Sequence, residues 1–351
     1  MQALFKCKIN YVASMHLDQI YDGFEKLRKK GIIKLEINRS TLHKNSPILE
    51  VLINDKIKVI YDNLDGLNWI HDTEEKNLAF FNKNTSVDFY FKRSFDSRLN
   101  LYTPSNCYVF PLGLNFPVKP EGNWPIDWKI RFKEIFKRSF FHKTHGKSRF
   151  FNHSFEHYPF KNKENKILFS ARLWNPDEVS SPILKEHRNK INEERIECIQ
   201  ACRKEFGRFF TGGLSTDNYS IKKSKELLLP RSFTKKEKYL KAVKEHNICV
   251  ATTGLHNSIG WKFGEYIASS RAIISNPLVY DLPGNIEVNK NYLSFNTKDE
   301  LLKNIEYLLT NDDKLVEMME NNFRYYISYA SSEKLVLNSL LKIYQITNGN
   351  I

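Results

Sequence analysis

Residues 248–277, ICVATTGLHNSIGWKFGEYIASSRAIISNP, constrain this chain more than any other stretch. A short apolar run over 248–251 reads as a buried strand. A polar loop follows, carrying Thr252, Thr253, Gly254, His256, Asn257, Ser258 and Gly260. Residues 261–270 have a helical pattern, with Phe263, Tyr266 and Ile267 spaced to face a core. A second apolar run over 272–275 closes the unit. Strand, loop, helix, strand is a crossover, the connection that joins parallel strands, and ligands bind where strand ends feed the loop. The loop sets Ser258, Gly260 and Lys262 at a helix N-terminus. Partial positive charge and unspent N–H donors there suit a phosphate. Glu265 lies one turn further in, where a carboxylate accepts hydrogen bonds from sugar hydroxyls. The unit reads as a site for a sugar joined to phosphate.

A chain of 351 residues accommodates two domains of ordinary size, and 41% hydrophobic residues supply real cores. The net charge of +14 favours anionic partners: nucleotide donors, acidic polysaccharide, anionic lipid or nucleic acid. It is equally the charge of a solubilising Lys-rich surface. Five Cys, an odd number, do not form a disulfide framework. Cys198 and Cys202 stand one helical turn apart with no partner at zinc-ligand spacing. No run of eighteen apolar residues exists, and no early stretch has the layout of a leader. These features predict a cytoplasmic protein, with basic and aromatic patches offering loose contact with the inner membrane surface.

The N-terminal part reads β–α–β–α–β: a strand over 4–12, a helix over 17–29 stopped by Gly31, and a strand over 32–37. A short helix over 47–53 and a buried strand over 57–61 complete it. This order predicts a Rossmann-like domain. No G-x-G-x-x-G follows the first strand, which disfavours a dinucleotide-dependent dehydrogenase. Two places offer a general base for an acceptor hydroxyl. One is His16, at the end of the first strand. The other is Asp62 or Asp65, after the strand over 57–61. An Asx-type turn before Gly66 is the favoured account of the carboxylates, and His16 is equally an N-terminal capping neighbour. Lys92 and Arg93 end a further strand over 87–91, either to meet an anion or as solvated charges.

Residues 119–165 change character, being dense in Lys, Arg, His and Phe. Residues 127–141 pattern as a basic amphipathic helix, suited to an anionic membrane or to a surface face. The spacing of His142, His145, His153 and His157 matches no defined metal site. Interleaved aromatics and cations would also stack bases, but no RNA-binding signature accompanies them, so nucleic acid is not expected as a partner.

The C-terminal part opens with a strand over 166–171 that ends at Arg172. An amphipathic helix over 191–206 is followed by a strand and by Thr211-Gly212-Gly213-Leu214, where the glycine pair allows close backbone approach to a ligand or simply a turn. Residues 227–229 continue the sheet into Pro230-Arg231, and helices are expected over 299–309, 312–322 and 335–344.

The loop, the helix, Glu265 and the run A-S-S-R-A-I-I-S resemble the donor-binding unit of GT-B glycosyltransferases, usually S-x-x-E-x-x-G followed by E-A-x-A-x-G-x-P-V-I. Glu265 takes the place of the second glutamate, and 267–269 the place of the A-x-A run. Asn257 stands where the first glutamate would be, an amide still able to bond hydroxyls. Arg172-Leu173 is similar to the G-R-L whose Arg faces the donor diphosphate. The usual downstream K-G is missing, which assigns the second cation to Lys262 or Arg231. VDFYFKRS followed by VFPLGLN is similar to the end of the N-terminal domain in bacterial enzymes building capsule or lipopolysaccharide.

The resemblance implies an α/β chain of two facing Rossmann-like domains with a cleft between them. An acceptor domain over 1–118, a basic and aromatic linker or insertion over 119–165, a donor domain over 166–334 and a bracing helix over 335–351 are expected. It implies transfer of a sugar from a nucleotide-sugar donor, with no further cofactor, to a bacterial surface glycan or glycolipid. Arg172 and Lys262 would balance the departing diphosphate, the helix start near Gly260 would add N–H donors, and Glu265 would orient hydroxyls. Asn257, Ser258, Gly212, Gly213 and Arg231 complete the expected donor contacts. No D-x-D triplet suggests a metal. Two rivals remain open. A nucleotide-sugar epimerase needs an acid–base carboxylate pair around the sugar. A non-catalytic module would bind acidic glycan or nucleic acid through the charge alone.

Overall fold

The computed structural model describes residues 3–38, 46–122, 124, 150–284 and 286–348. In chain order the main elements are β1 (Phe5–Asn10), α1 (Asp18–Lys29), β2 (Ile33–Asn38), β3 (Ile48–Ile53), β4 (Ile57–Asp62), α2 (Glu74–Asn84), β5 (Phe89–Lys92), β6 (Tyr108–Pro111) and β7 (Ile167–Ala171). They continue with α3 (Pro182–Phe206), β8 (Phe210–Leu214), α4 (Lys236–Glu245), β9 (Ile248–Ala251), α5 (Trp261–Ala268), β10 (Ala272–Ser275), β11 (Tyr292–Ser294), α6 (Lys298–Thr310), α7 (Asp312–Tyr325) and α8 (Ser332–Asn348). The chain divides into two compact units, so the α/β class expected from the sequence is realised twice. Unit 1 comprises Met1–Asn152, Tyr280–Pro283 and Ile327–Ile351; unit 2 comprises His153–Val279 and Gly284–Tyr326.

Unit 1 is built on a six-stranded sheet, β2-β1-β3-β4-β5-β6. The short helix expected over 47–53 is a correction: these residues form β3, antiparallel to both β1 and β4. Leu49, Val51 and Ile53 are buried in alternation, a period of two that a helix cannot use. Asn54 and Asp55 then both take positive φ, 52° and 57°, the geometry of a tight hairpin that ties β3 to β4. Two apolar residues in alternation and a helical half-turn look alike over so short a run. The turn residues were the deciding signal.

α8 packs on α1 within unit 1, placing Val336, Leu340 and Ile343 in the core with Ile20, Phe24 and Leu27. Gly23 makes that approach possible, because a Cβ there would lie 2.1 Å from the Ser332 carbonyl oxygen and 2.6 Å from Val336. The last helix therefore belongs to the first unit by packing. The boundary between the units falls at 152/153, inside the segment read as a linker over 119–165. The basic helix expected over 127–141, and His142 and His145, lie outside the described residues.

Unit 2 is an all-parallel sheet, β11-β10-β9-β7-β8. Every residue of β9 and β10 is buried, as strands covered on both faces require. α5 stops after eight residues. Ser270 takes φ 53°, and the Arg271 N–H bonds the Tyr266 carbonyl. The fully buried Arg271 guanidinium donates to the carbonyls of Ser269, Tyr158 and Phe160, at 2.7, 2.9 and 3.1 Å. It thus anchors the segment that leads into β7. Gly23→Ala should lower stability by about 1–3 kcal/mol through overpacking of α1 against α8. Urea denaturation followed through unit 1 checks this, and an unchanged midpoint contradicts the packing.

Candidate functional site

The carboxyl ends of β7 and β9, neighbours in unit 2, deliver the two loops that carry most of the predicted donor residues. Arg172 leaves β7 exposed, its guanidinium carbon 4.4 Å from the centre of the Trp174 ring. Stacking fixes the plane of the fork while leaving its N–H groups unspent. Among the described residues no acceptor engages that side chain.

After β9 the chain runs through Thr252 to Gly260 and enters α5. His256 and Asn257 both have positive φ, 56° and 55°, uncommon for non-glycine residues and concentrated where loops are functionally shaped. Gly260 is the N-cap of α5, and no side chain caps the helix. Within that first turn the Phe263 N–H donates to the Gly260 carbonyl at 3.1 Å. Ser258 is buried, and its carbonyl accepts from the Gly254 N–H at 2.8 Å, closing the loop.

Lys262 stands 4.3 Å over the Tyr239 ring, with no carboxylate on its ammonium among the described residues. Burial lowers its pKa from the ordinary lysine value to about 8; Lys236 and Arg195 lower it further and Glu265 opposes them. Glu265, 2% exposed, is paired with Lys236, whose ammonium also lies 4.7 Å from the Tyr239 ring. Tyr239 thus holds one lysine committed to a carboxylate and one that is not.

Arg195 is the residue that sequence reasoning missed. It lies on the buried stripe of α3 and donates to Thr252 Oγ1 and the Thr253 carbonyl, both at 2.9 Å, and to the Arg172 carbonyl. Burial, with repulsion from Arg172, lowers its pKa to about 10 despite Glu194. The available signal was a guanidinium in register with Ile191, Ile199 and Cys202 on a stripe that should be apolar.

The other expected donor residues are placed differently. Gly212 and Gly213 lie inside β8 rather than in a ligand-facing turn, which corrects their assignment. A Cβ on Gly213 would lie 2.4 Å from the Leu227 carbonyl oxygen and 2.7 Å from Arg203 Nη2, so these glycines make room for the protein's own chain. Asn257 is exposed beside His187 of α3. Arg231 opens the short 3-10 turn Arg231–Thr234, also exposed.

In unit 1, Asp62 requires a correction as a candidate base. It is 0% exposed and accepts from the Leu64 N–H at 2.7 Å, Trp69 Nε1 at 2.8 Å, the Tyr90 hydroxyl at 2.5 Å and Lys92 Nζ at 3.3 Å. Four donors and no solvent leave it no lone pair for an acceptor hydroxyl. Lys92 is likewise fully buried and is spent on the protein's own Asp62 rather than on a ligand or solvent; burial lowers its pKa, with Asp62 opposing. Asp65 keeps a half-exposed carboxylate, paired with Arg93 at 2.7 Å. His16 is close enough to both for their charges to act on it. Burial lowers its pKa, Arg93 lowers it further and Asp65 opposes, which favours neutral imidazole near neutrality. The His16 carbonyl is held by the side-chain amides of Asn63 and Asn115, at 2.8 and 2.7 Å.

Among the described residues no three His, Cys, Asp or Glu side chains converge as metal ligands. No helix among them is long and apolar enough to cross a membrane.

No protein-family model matches the chain, and no curated protein does. Similar solved structures exist. HepE from Anabaena in complex with UDP-glucose aligns at TM-score 0.47 and 10% identity, covering 97% of this chain and 100% of that one. TarM from S. aureus, in complex with fondaparinux, alpha-GlcNAc-glycerol and UDP, aligns at 0.39 and 13%, covering 78% of this chain and 48% of that one. This chain thus spans about half the length of TarM. The C-terminal domain of a glycosyl transferase group 1 family protein from Francisella tularensis aligns at 0.35 and 14%, covering 50% of this chain and 95% of that one. All three scores lie below 0.5, and no residue role is carried over from them.

Two outcomes are expected. Asp62→Asn should cost about 3–5 kcal/mol, the effect of breaking a buried ion pair. A variant that melts like wild type would return Asp62 to the list of available bases. For Lys262, a folded pKa below the unfolded one means the folded state disfavours the proton. Its contribution to stability therefore rises as pH climbs from about 8 toward the ordinary lysine value. Urea denaturation at about pH 7.5 and about pH 9.5 should show wild type gaining on Lys262→Gln at the higher pH; a constant difference contradicts the shift.

Proposed function

We propose that the chain is a glycosyltransferase of the GT-B type, moving a sugar from a nucleotide-sugar donor to a glycan or glycolipid acceptor. One observation carries the reading. Among the described residues two cations without carboxylate partners, Arg172 just after β7 and Lys262 in the first turn of α5 after β9, follow adjacent parallel strands. A diphosphate supplies the missing negative charge. When the bond from sugar to phosphate breaks, charge develops on the departing nucleoside diphosphate. Fixed cations stabilise that charge without rearranging. This makes a metal-independent reaction the proposal.

Glu265 sits one helical turn beyond Lys262, and its carboxylate would accept hydrogen bonds from donor hydroxyls in competition with Lys236. In unit 1, the neutral imidazole favoured at His16 suits removal of a proton from an acceptor hydroxyl. The net charge of +14 suits an acidic bacterial surface glycan, such as capsule, lipopolysaccharide or exopolysaccharide, and loose contact with an anionic inner membrane surface.

The test is a panel of nucleotide sugars screened for thermal stabilisation and for slow release of nucleoside diphosphate. One donor should stabilise the protein and be hydrolysed. Lys262→Ala should weaken its binding, and Glu265→Gln should cut turnover by about 10²-fold, on the order of losing one positioning contact. Absence of any donor binding, together with tight salt-sensitive binding to a polyanion, would replace the transferase with a binding module.

A further inference from the structure

Arg195 has no part in the contacts proposed above, yet the fold buries it at some cost. A guanidinium in the interior without a carboxylate on it loses hydration that backbone acceptors only partly replace. A leucine would fill the same stripe of α3, between Ile191 and Ile199, without that cost. What distinguishes Arg195 is where its donors go. One reaches the carbonyl of Arg172 in the loop after β7, and two reach Thr252 and Thr253 in the loop after β9. A second strap leaves the same turn of α3. Asn276 Nδ2 donates to Glu194 Oε1 at 2.5 Å, and Asn276 Oδ1 accepts from the Thr253 N–H at 3.1 Å.

The contrast with Arg271 sharpens the point. That guanidinium also gathers carbonyls, but it directly precedes β10, at the amino end of the sheet where open parallel sheets do not bind ligands. Arg195 works at the carboxyl ends, between the loop that bears Arg172 and the loop that leads to Lys262 in α5.

We propose that Arg195 is a positioning residue of the donor site: its fork ties the loop after β7 to the loop after β9 and sets the spacing at which Arg172 and Lys262 meet one diphosphate. This rests on the donor-site reading given under Proposed function. The planar fork, rather than the charge alone, does the work, because only a fork reaches both loops at once.

The test uses the full chain and two substitutions, Arg195→Lys, which keeps the charge and loses the fork, and Arg195→Met. The nucleoside diphosphate of uridine, guanosine, cytidine, adenosine or thymidine that most raises the wild-type melting temperature is titrated by calorimetry. Its nucleoside is the control. Both variants should bind the diphosphate about tenfold more weakly or worse, the loss of one charge-assisted contact, while binding the nucleoside as wild type does. Arg195→Lys with wild-type diphosphate affinity overturns the proposal. So does an equal loss for nucleoside and diphosphate, which would mark general damage.

A ligand-independent measurement accompanies it. Amide hydrogen exchange over 252–254 should speed up in Arg195→Met, and unchanged exchange overturns the clamp. Arg172→Ala and Lys262→Ala serve as references. If both bind the diphosphate normally, the donor-site reading fails, while exchange still judges the clamp. Wild type that binds no diphosphate removes both.

Discussion

Unbalanced positive charge at the carboxyl ends of β7 and β9 is the constraint around which unit 2 is arranged. Among the described residues four cations, Arg172, Arg195, Lys236 and Lys262, crowd one end of a parallel sheet, and the only carboxylate paired among them is Glu265, held by Lys236. Each remaining cation is kept by something other than a counter-ion. Trp174 stacks under Arg172, Tyr239 lies under Lys262, and loop carbonyls surround Arg195. Aromatic faces and carbonyl dipoles hold a cation in place without neutralising it. Burial, with Lys236 and Arg195 adding to it against Glu265, lowers the Lys262 pKa to about 8.

Unit 1 handles its strand-end charges in the opposite way. Lys92 is paired with Asp62, and Arg93 with Asp65. Tyr90 and Trp69 add donors to Asp62, so the buried carboxylate is saturated. Removing one member leaves the other buried and uncompensated, so this network specifies the sheet end rather than offering a reactive group. Only Asp65 and His16 remain partly reachable there. Among the described residues one sheet end stores paired charge and the other leaves charge unpaired, which is the physical basis for proposing phosphate recognition in unit 2.

Legibility in the sequence differed by element. The unit over 248–277 was readable throughout, because apolar strands, a polar loop and a helix of period 3.6 follow one another without ambiguity. β3 resembles a short helix in sequence, since six residues carry too little periodicity, and the Asn54-Asp55 hairpin turn is the signal that marks it as a strand. Gly212-Gly213 looked like a ligand turn because a glycine pair has the same appearance whether it admits a ligand or the protein's own Leu227 and Arg203. Asp62 and Asp65 could not be separated by sequence. Burial distinguishes them, and burial of Asp62 depends on Trp69, seven residues on, and on Tyr90, 28 residues on, from the neighbouring strand.

What the sequence by itself determined is local: strand, loop and helix at 248–277, the strand end at Arg172, and the cations and single carboxylate these segments carry. Periodicity and helix-end chemistry act over a few residues, so they are written in the order of the chain. Tertiary structure alone decided which charges are neutralised. Asp62 is saturated, Lys236 is committed to Glu265, and Arg195 joins loops 23 and 57 residues away. Pairing and desolvation depend on which distant segments the sheet order brings side by side, and no stretch of sequence contains that information.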